Sequence, residues 1–155
     1  MNLLEILVLF CAIGSGLIAG VFFAFSTSVM SALGKIDPAQ GMLAMQTINI
    51  VIINPLFLGA FMGTAAACAA VLIANWMGAL DSSWTVAGAA LYLAGSFLVT
   101  MIFNVPRNNR LAPLNPAAPE SLRVWRDYLV TWTRWNHVRT IASLAAAIAF
   151  TVGAS

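Results

Sequence analysis

Charge is what this chain lacks most. Of its 155 residues only seven are Lys or Arg and five are Asp or Glu, whereas 61% are hydrophobic. Soluble domains carry about 25% charged and about 45–50% apolar residues, so this chain cannot cover a water-facing surface, and a soluble globular protein is excluded. A formal net charge of +2 is too weak a field to hold a phosphate backbone, which argues against nucleic acid as a partner. Cysteine and histidine are nearly absent as well, with two Cys and one His. Cys11 and Cys68 lie deep in separate apolar runs without metal-ligand spacing, and read as small packing residues rather than a disulfide or a metal site. Strand-like alternation is missing too, as Thr64-Ala65-Ala66-Ala67-Cys68-Ala69-Ala70 shows, which argues against a β-barrel. The partner that composition implies is the lipid bilayer.

What is present is a set of long uncharged runs. Residues 6–34, 38–80, 82–106 and 140–155 contain no Asp, Glu, Lys or Arg. A membrane-spanning helix needs about 20 mostly apolar residues, so each of the first three runs holds one span, and the fourth reaches that length with Trp135 to Arg139 added. The expectation is a single all-α integral membrane domain over residues 1–155, a four-helix transmembrane bundle. The opening Met1-Asn2-Leu3-Leu4-Glu5 is acidic and the run behind it is too long for a cleaved signal, so the first helix is expected to be retained.

Helix ends follow from capping residues. The first helix is expected over residues 3–33, closed by Gly34 in the left-handed conformation, with Gly16 and Gly20 in a GxxxG spacing beside Gly14 predicting a close helix neighbour. Asp37-Pro38-Ala39-Gln40 starts a second helix, with Asp as the cap, Pro in the first turn and Gln three residues after the cap. That helix, residues 38–75, is nearly twice as long as the hydrocarbon core requires and is kinked just after Asn54 by Pro55. A third helix is expected over 84–103 behind Asp81-Ser82-Ser83. Pro106, Pro113, Pro116 and Pro119 then hold residues 104–119 as a non-helical crossing, and a fourth helix covers 120–154.

Four spans would place the loops after the first and third helices on one side. That side collects Lys35, Arg107, Arg110, Arg123, Arg126 and Arg134, and the other collects no Lys or Arg. The positive-inside rule makes the first side cytoplasmic, so both termini face outward, the second and fourth helices project into the cytoplasm, and a bacterial host would carry the protein in its inner membrane.

Ionisable and amide side chains at membrane depth are candidate sites. They are Asn49, Asn54, Asn104, Asn108, Asn136, His137 and Arg139. At about 100° per residue, with Asn136 at zero, Thr140 falls near 40°, Ser143 near −20°, Trp132 near −40°, Arg139 near −60° and His137 near 100°. With the Asn136 and Thr140 edge toward the bundle axis, His137 and Arg139 are expected to flank it on opposite sides, each aimed at a neighbouring helix and bracketing a small cavity without touching. Each residue has two readings: His137 is a structural histidine or a base, Arg139 snorkels to phosphate or holds an anion. The asparagines join helices or contact ligand. Trp125, Tyr128, Trp132 and Trp135 form an interfacial belt or wall an aromatic pocket.

Four stretches carry a family resemblance: Gly16 to Phe25 (GLIAGVFFAF), Met45 to Pro55 (MQTINIVIINP), Asn104 to Leu111 (NVPRNNRL) and Trp132 to Ser143 (WTRWNHVRTIAS). Through them the chain resembles the small four-helix membrane proteins grouped with the fungal and bacterial anthrone oxygenases. The resemblance implies a cofactor-independent monooxygenase that converts a lipophilic, anthrone-like aromatic to a quinone with molecular oxygen. Such chemistry needs a base for an acidic ring C–H and stabilisation of the resulting anion. Placed on this chain, His137 would be the base and Arg139 with Asn104 or Asn136 would hold the anion. Trp132 or Trp135 would stack on the polycycle, and Asn49, Asn54, Asn108 and Thr140 would line the substrate. No cofactor and no metal are expected.

Two other classes compete with an oxygenase. One is a non-catalytic membrane module that binds a lipid or quinone, or a small accessory subunit of a homo-oligomer or larger membrane complex. The other is a transporter, the weakest of the three, because the chain shows no repeated half and no relay of acidic residues.

Overall fold

The computed structural model describes residues 1–80 and 82–154 and is helical with no strand among them. Five helices make it up: α1 (Leu3–Leu33), α2 (Pro38–Val51), α3 (Pro55–Trp76), α4 (Ser83–Leu111) and α5 (Ser121–Gly153). By length and composition α1, α3 and α4 can each cross a membrane, and the chain is an integral membrane protein. Outward-facing Leu17, Phe23, Leu56, Ile73 and Ile141 are what such a bundle presents to lipid.

Neighbouring long helices run antiparallel. Gly16 of α1 lies against Ala147 of α5, and Ser26 against Thr140. Along α4 and α5, Gly88 lies against Phe150, Gly95 against Ala142 and Thr100 against Arg139. α3 closes the bundle beside α1, where Gly14 receives Thr64. Cys11 and Cys68, expected as independent packers in separate runs, meet there within side-chain hydrogen-bond reach as free thiols. The core falls into two clusters. One gathers Ile18, Phe22, Phe61, Val71, Tyr92 and Phe150 in the span-forming half. The other joins Met42 and Met45 of α2 to Leu111, Trp125, Tyr128 and Trp132 at the charged end.

Several expected helix limits are corrected. The second helix is not one kinked rod but two helices. Asn54 sits before a proline, a position pushed out of the helical region, and is extended at φ −123°, ψ 159°. Its side chain accepts the Leu56 and Phe57 N–H groups at 3.1 and 3.0 Å, so Asn54 caps a new helix with Pro55 in the first turn. The third helix does not stop at 103 but continues through Pro106 to Leu111. Its π-helical stretches, Leu91–Leu98 and Thr100–Asn104, carry a wider turn that absorbs the missing proline donor. Gly34 closes α1 in a right-handed conformation, φ −74°; among the described residues only Gly78 has a positive φ, 74°. The close neighbour expected at the α1 glycines is found at Gly14, against Thr64 of α3, and in ordinary contact at Gly16, against Ala147 of α5, whereas Gly20 meets nothing. Of the three expected cap residues of α4, Asp81 lies outside the described residues and Ser82 is the N-cap, its side chain accepting the Thr85 N–H.

Candidate functional site

α5 carries a polar stripe into the bundle. Trp132, Asn136, Arg139, Thr140 and Ser143 are all buried, a sector that runs from −60° to 40° on the helical wheel. The stripe is knitted to its neighbours. Asn136 Nδ2 donates to the Phe22 carbonyl and to Ser26 Oγ, both at 2.7 Å. Thr140 meets Ser26 at 3.0 Å and Ser143 donates to Ser96 at 2.9 Å. Buried amides and hydroxyls between apolar helices find their partners on the facing helix because lipid offers none.

Arg139 stands at the centre of this stripe, only 4% exposed. Its Nη2 donates to Asn136 Oδ1 at 2.6 Å and its Nη1 to Thr100 Oγ1 at 3.2 Å. The guanidinium carbon lies 4.1 Å from the Phe22 ring centre and 4.9 Å from that of Trp132. Nε has no hydrogen-bond partner. Among the described residues the carboxylate ion pairs are Met1 with Glu5 and Arg110 with Asp127, so this buried cation has no acid beside it. An arginine does not shed its proton in a protein, and an uncompensated buried charge is costly. Two cation–π faces and two hydrogen bonds offset part of that cost.

Arg139 forms part of the wall of a cavity of about 700 Å³. Phe22, Phe25, Phe61 and Trp132 supply its aromatic sides, and α2 roofs it with Met45, Gln46 and Asn49. α2 is tied down by Gln46, whose Nε2 donates to the Leu111 and Leu114 carbonyls at 3.0 and 2.9 Å, at and just past the end of α4. A second polar tier lies at the charged end: Tyr128 and Trp132 both donate to Asn108 Oδ1 at 2.8 Å, and Asn49 Nδ2 donates to Tyr128 at 3.5 Å. On one flank the cavity is rimmed by Ile53, Leu58, Met62 and Met101, apolar side chains that are also outward-facing. α3 packs on Ser83–Leu98 of α4, and the rim lies where that packing gives out. The cavity therefore opens sideways, between outward-facing apolar side chains.

A family model described as anthrone oxygenase matches residues 49–149. The chain belongs to the anthrone oxygenase family. No curated protein and no solved structure matches it. As an anthrone oxygenase family member, it holds Arg139, Asn49, Asn108 and Trp132 within the matched stretch, and these four line the cavity.

The other expected site residues fall elsewhere. Asn136 and Thr140 stand behind Arg139, and Asn104 donates to the Trp132 carbonyl at 3.2 Å while its own buried Oδ1 is unpartnered. Asn54 is spent on capping α3. Trp135 stacks on Phe103 outside the cavity. His137, the expected base, is exposed and is not part of the cavity wall, because at 100° it falls beyond the buried sector of α5. Among the described residues no group of three His, Cys, Asp or Glu is placed to hold a metal ion. Sequence reasoning passed over Phe22, Gln46 and Thr100. Thr100 follows Ser96 and precedes Asn104 at four-residue spacing, a polar row in an apolar helix that could have flagged the face opposite Arg139.

Proposed function

We propose that this anthrone oxygenase family member is a membrane-embedded, cofactor-independent monooxygenase acting on a lipophilic, anthrone-type aromatic. One observation carries this reading: a buried arginine without an acid partner on the wall of an apolar, aromatic-sided cavity. Such a site favours a flat apolar ligand that bears, or acquires, one negative oxygen. In this reading the chain crosses the bilayer four times, through α1, α3, α4 and the C-terminal half of α5. The cations at the other end of α5, in the last turns of α4 and just after α1 put that end in the cytoplasm in this reading, with both termini outside. α2 and the first half of α5 cover the cavity on that side.

The overall reaction is anthrone plus O₂ giving anthraquinone plus water. Loss of the acidic ring proton leaves an enolate whose charge rests on oxygen, and Arg139 lowers the free energy of that anion where charge develops. The anion passes one electron to O₂, and the carbon radical and superoxide combine to a peroxide. Loss of water from the protonated peroxide leaves the new carbonyl, so one oxygen atom enters the quinone and the other leaves as water. Among the described residues no imidazole or carboxylate lines the cavity; the ring proton passes to water and the role of the chain is electrostatic. Phe22 and Trp132 hold the guanidinium plane, and the Asn49 and Asn108 amides orient the far end of the ligand.

The test is oxygen uptake by the detergent-purified protein presented with a hydroxyanthrone, above the spontaneous background. Arg139→Met should lower kcat/KM by about 10²–10³-fold, the cost of losing one oxyanion-stabilising donor, while Arg139→Lys retains part of the rate. Equal uptake by wild type and Arg139→Met would overturn the proposal. Ligand binding without any uptake would instead favour the non-catalytic binding module.

A further inference from the structure

A second cleft, of about 350 Å³, opens on the outer face of the bundle between α4 and α5. Arg107, Thr131, Arg134, Trp135 and Val138 line it, and it shares no wall residue with the large cavity. Its floor is rigid: Trp135 stacks on Phe103 with ring centres 3.6 Å apart and planes within 5°. Arg107 is held in place by two bonds, Nε to Thr131 Oγ1 at 3.0 Å and Nη1 to the Phe103 carbonyl at 2.6 Å. Among the described residues the second terminal nitrogen of Arg107 makes no hydrogen bond. Arg134 lines the same cleft, and neither arginine is among the carboxylate ion pairs of the described residues. From the cleft toward the apolar half of the bundle, the surface continues through Ile102, Val138 and Ile141, all outward-facing.

We propose that this cleft binds the phosphate of an anionic phospholipid, with Arg107 and Arg134 on the phosphate and an acyl chain along Ile102, Val138 and Ile141. The planar guanidinium fork matches phosphate oxygens in a way an ammonium does not. Tryptophan is favoured at headgroup level, and basic pockets between membrane helices take anionic headgroups. Free phosphate shares the chemistry of the arginine pair, but it would leave the aromatic floor and the apolar ridge without a partner. The lipid occupies both.

The experiment is native mass spectrometry of the full chain released from mixed micelles holding equal dioleoylphosphatidylglycerol and dioleoylphosphatidylcholine. Wild type should retain phosphatidylglycerol at least about five-fold over phosphatidylcholine, and R107Q/R134Q should bring the ratio to parity. R126Q, which removes an exposed cation of α5 outside the cleft, should keep the preference. R107K/R134K, which preserves the charge and the fold, should lose part of it. No preference in wild type, or an equal preference in R107Q/R134Q, would overturn the site. A loss as large in R126Q would reduce it to diffuse attraction, and displacement of the lipid by millimolar inorganic phosphate would assign the cleft to a soluble anion instead.

Discussion

Arg139 is held in an apolar bundle by groups that carry no charge: the Asn136 amide, the Thr100 hydroxyl and two aromatic faces. Asn136 is the keystone, since it also donates to α1 through Phe22 and Ser26. Asn136→Leu should therefore destabilise the protein by about 2–4 kcal/mol, because it strands a buried cation as well as deleting bonds. Thermal unfolding in detergent would show this, and an unchanged midpoint would mean that α1 and α5 are held by packing alone. His137→Ala should leave both stability and oxygen uptake unchanged; a collapse of uptake in a folded variant would return the base to that exposed ring. The angular arithmetic of α5 put His137 and Arg139 on opposite flanks, each aimed at a neighbouring helix, but only the Arg139 flank meets one and His137 is exposed. That choice is made by α1 and α4, which approach the Arg139 side, and no local pattern in α5 encodes it.

At the scale of elements, the run from Pro38 to Trp76 was legible as helical from its cap and composition, yet its break was not. A proline inside an apolar run reads as a kink, and only the side chain of Asn54, accepting two N–H groups, turns it into a stop and a restart. Asn54→Ala should cost about 1 kcal/mol, the usual value of a lost cap, measurable as a lower unfolding midpoint. In α4 the opposite happened: Pro106 reads as a terminator, but the π-helical turns before it carry the helix on to Leu111. Those turns depend on tertiary contact, because Gly95 packs so tightly on Ala142 that a Cβ there would clash. Gly95→Leu should lower stability by about 1–3 kcal/mol through overpacking. If it is tolerated, the α4 and α5 interface is looser than its geometry implies. The glycines of α1 were legible in part: a close neighbour does lie at Gly14 and Gly16, but spacing did not say that Gly14 would carry the tightest contact and Gly20 none.

Across the whole molecule, the membrane character was readable from the distribution of twelve charges alone, and so was the crowding of basic residues at one end. The cavity was not. It arises from the juxtaposition of five helices around the α2–α3 break, and its lining draws residues from stretches tens of positions apart. The sideways rim gives a whole-molecule prediction. Filling it with Met62→Trp and Met101→Trp should slow oxygen uptake by substrate delivered in vesicles, while leaving the Arg139 contacts and the fold intact. An unchanged rate would show that substrate enters from the aqueous end.

That opening also fixes what the protein experiences as concentration. A ligand that arrives through the rim has first dissolved in the bilayer, so the quantity that governs occupancy is its mole fraction among lipids rather than its molarity in the buffer. Adding empty vesicles that fuse with the reconstituted membrane, at constant total substrate, should then slow turnover by surface dilution.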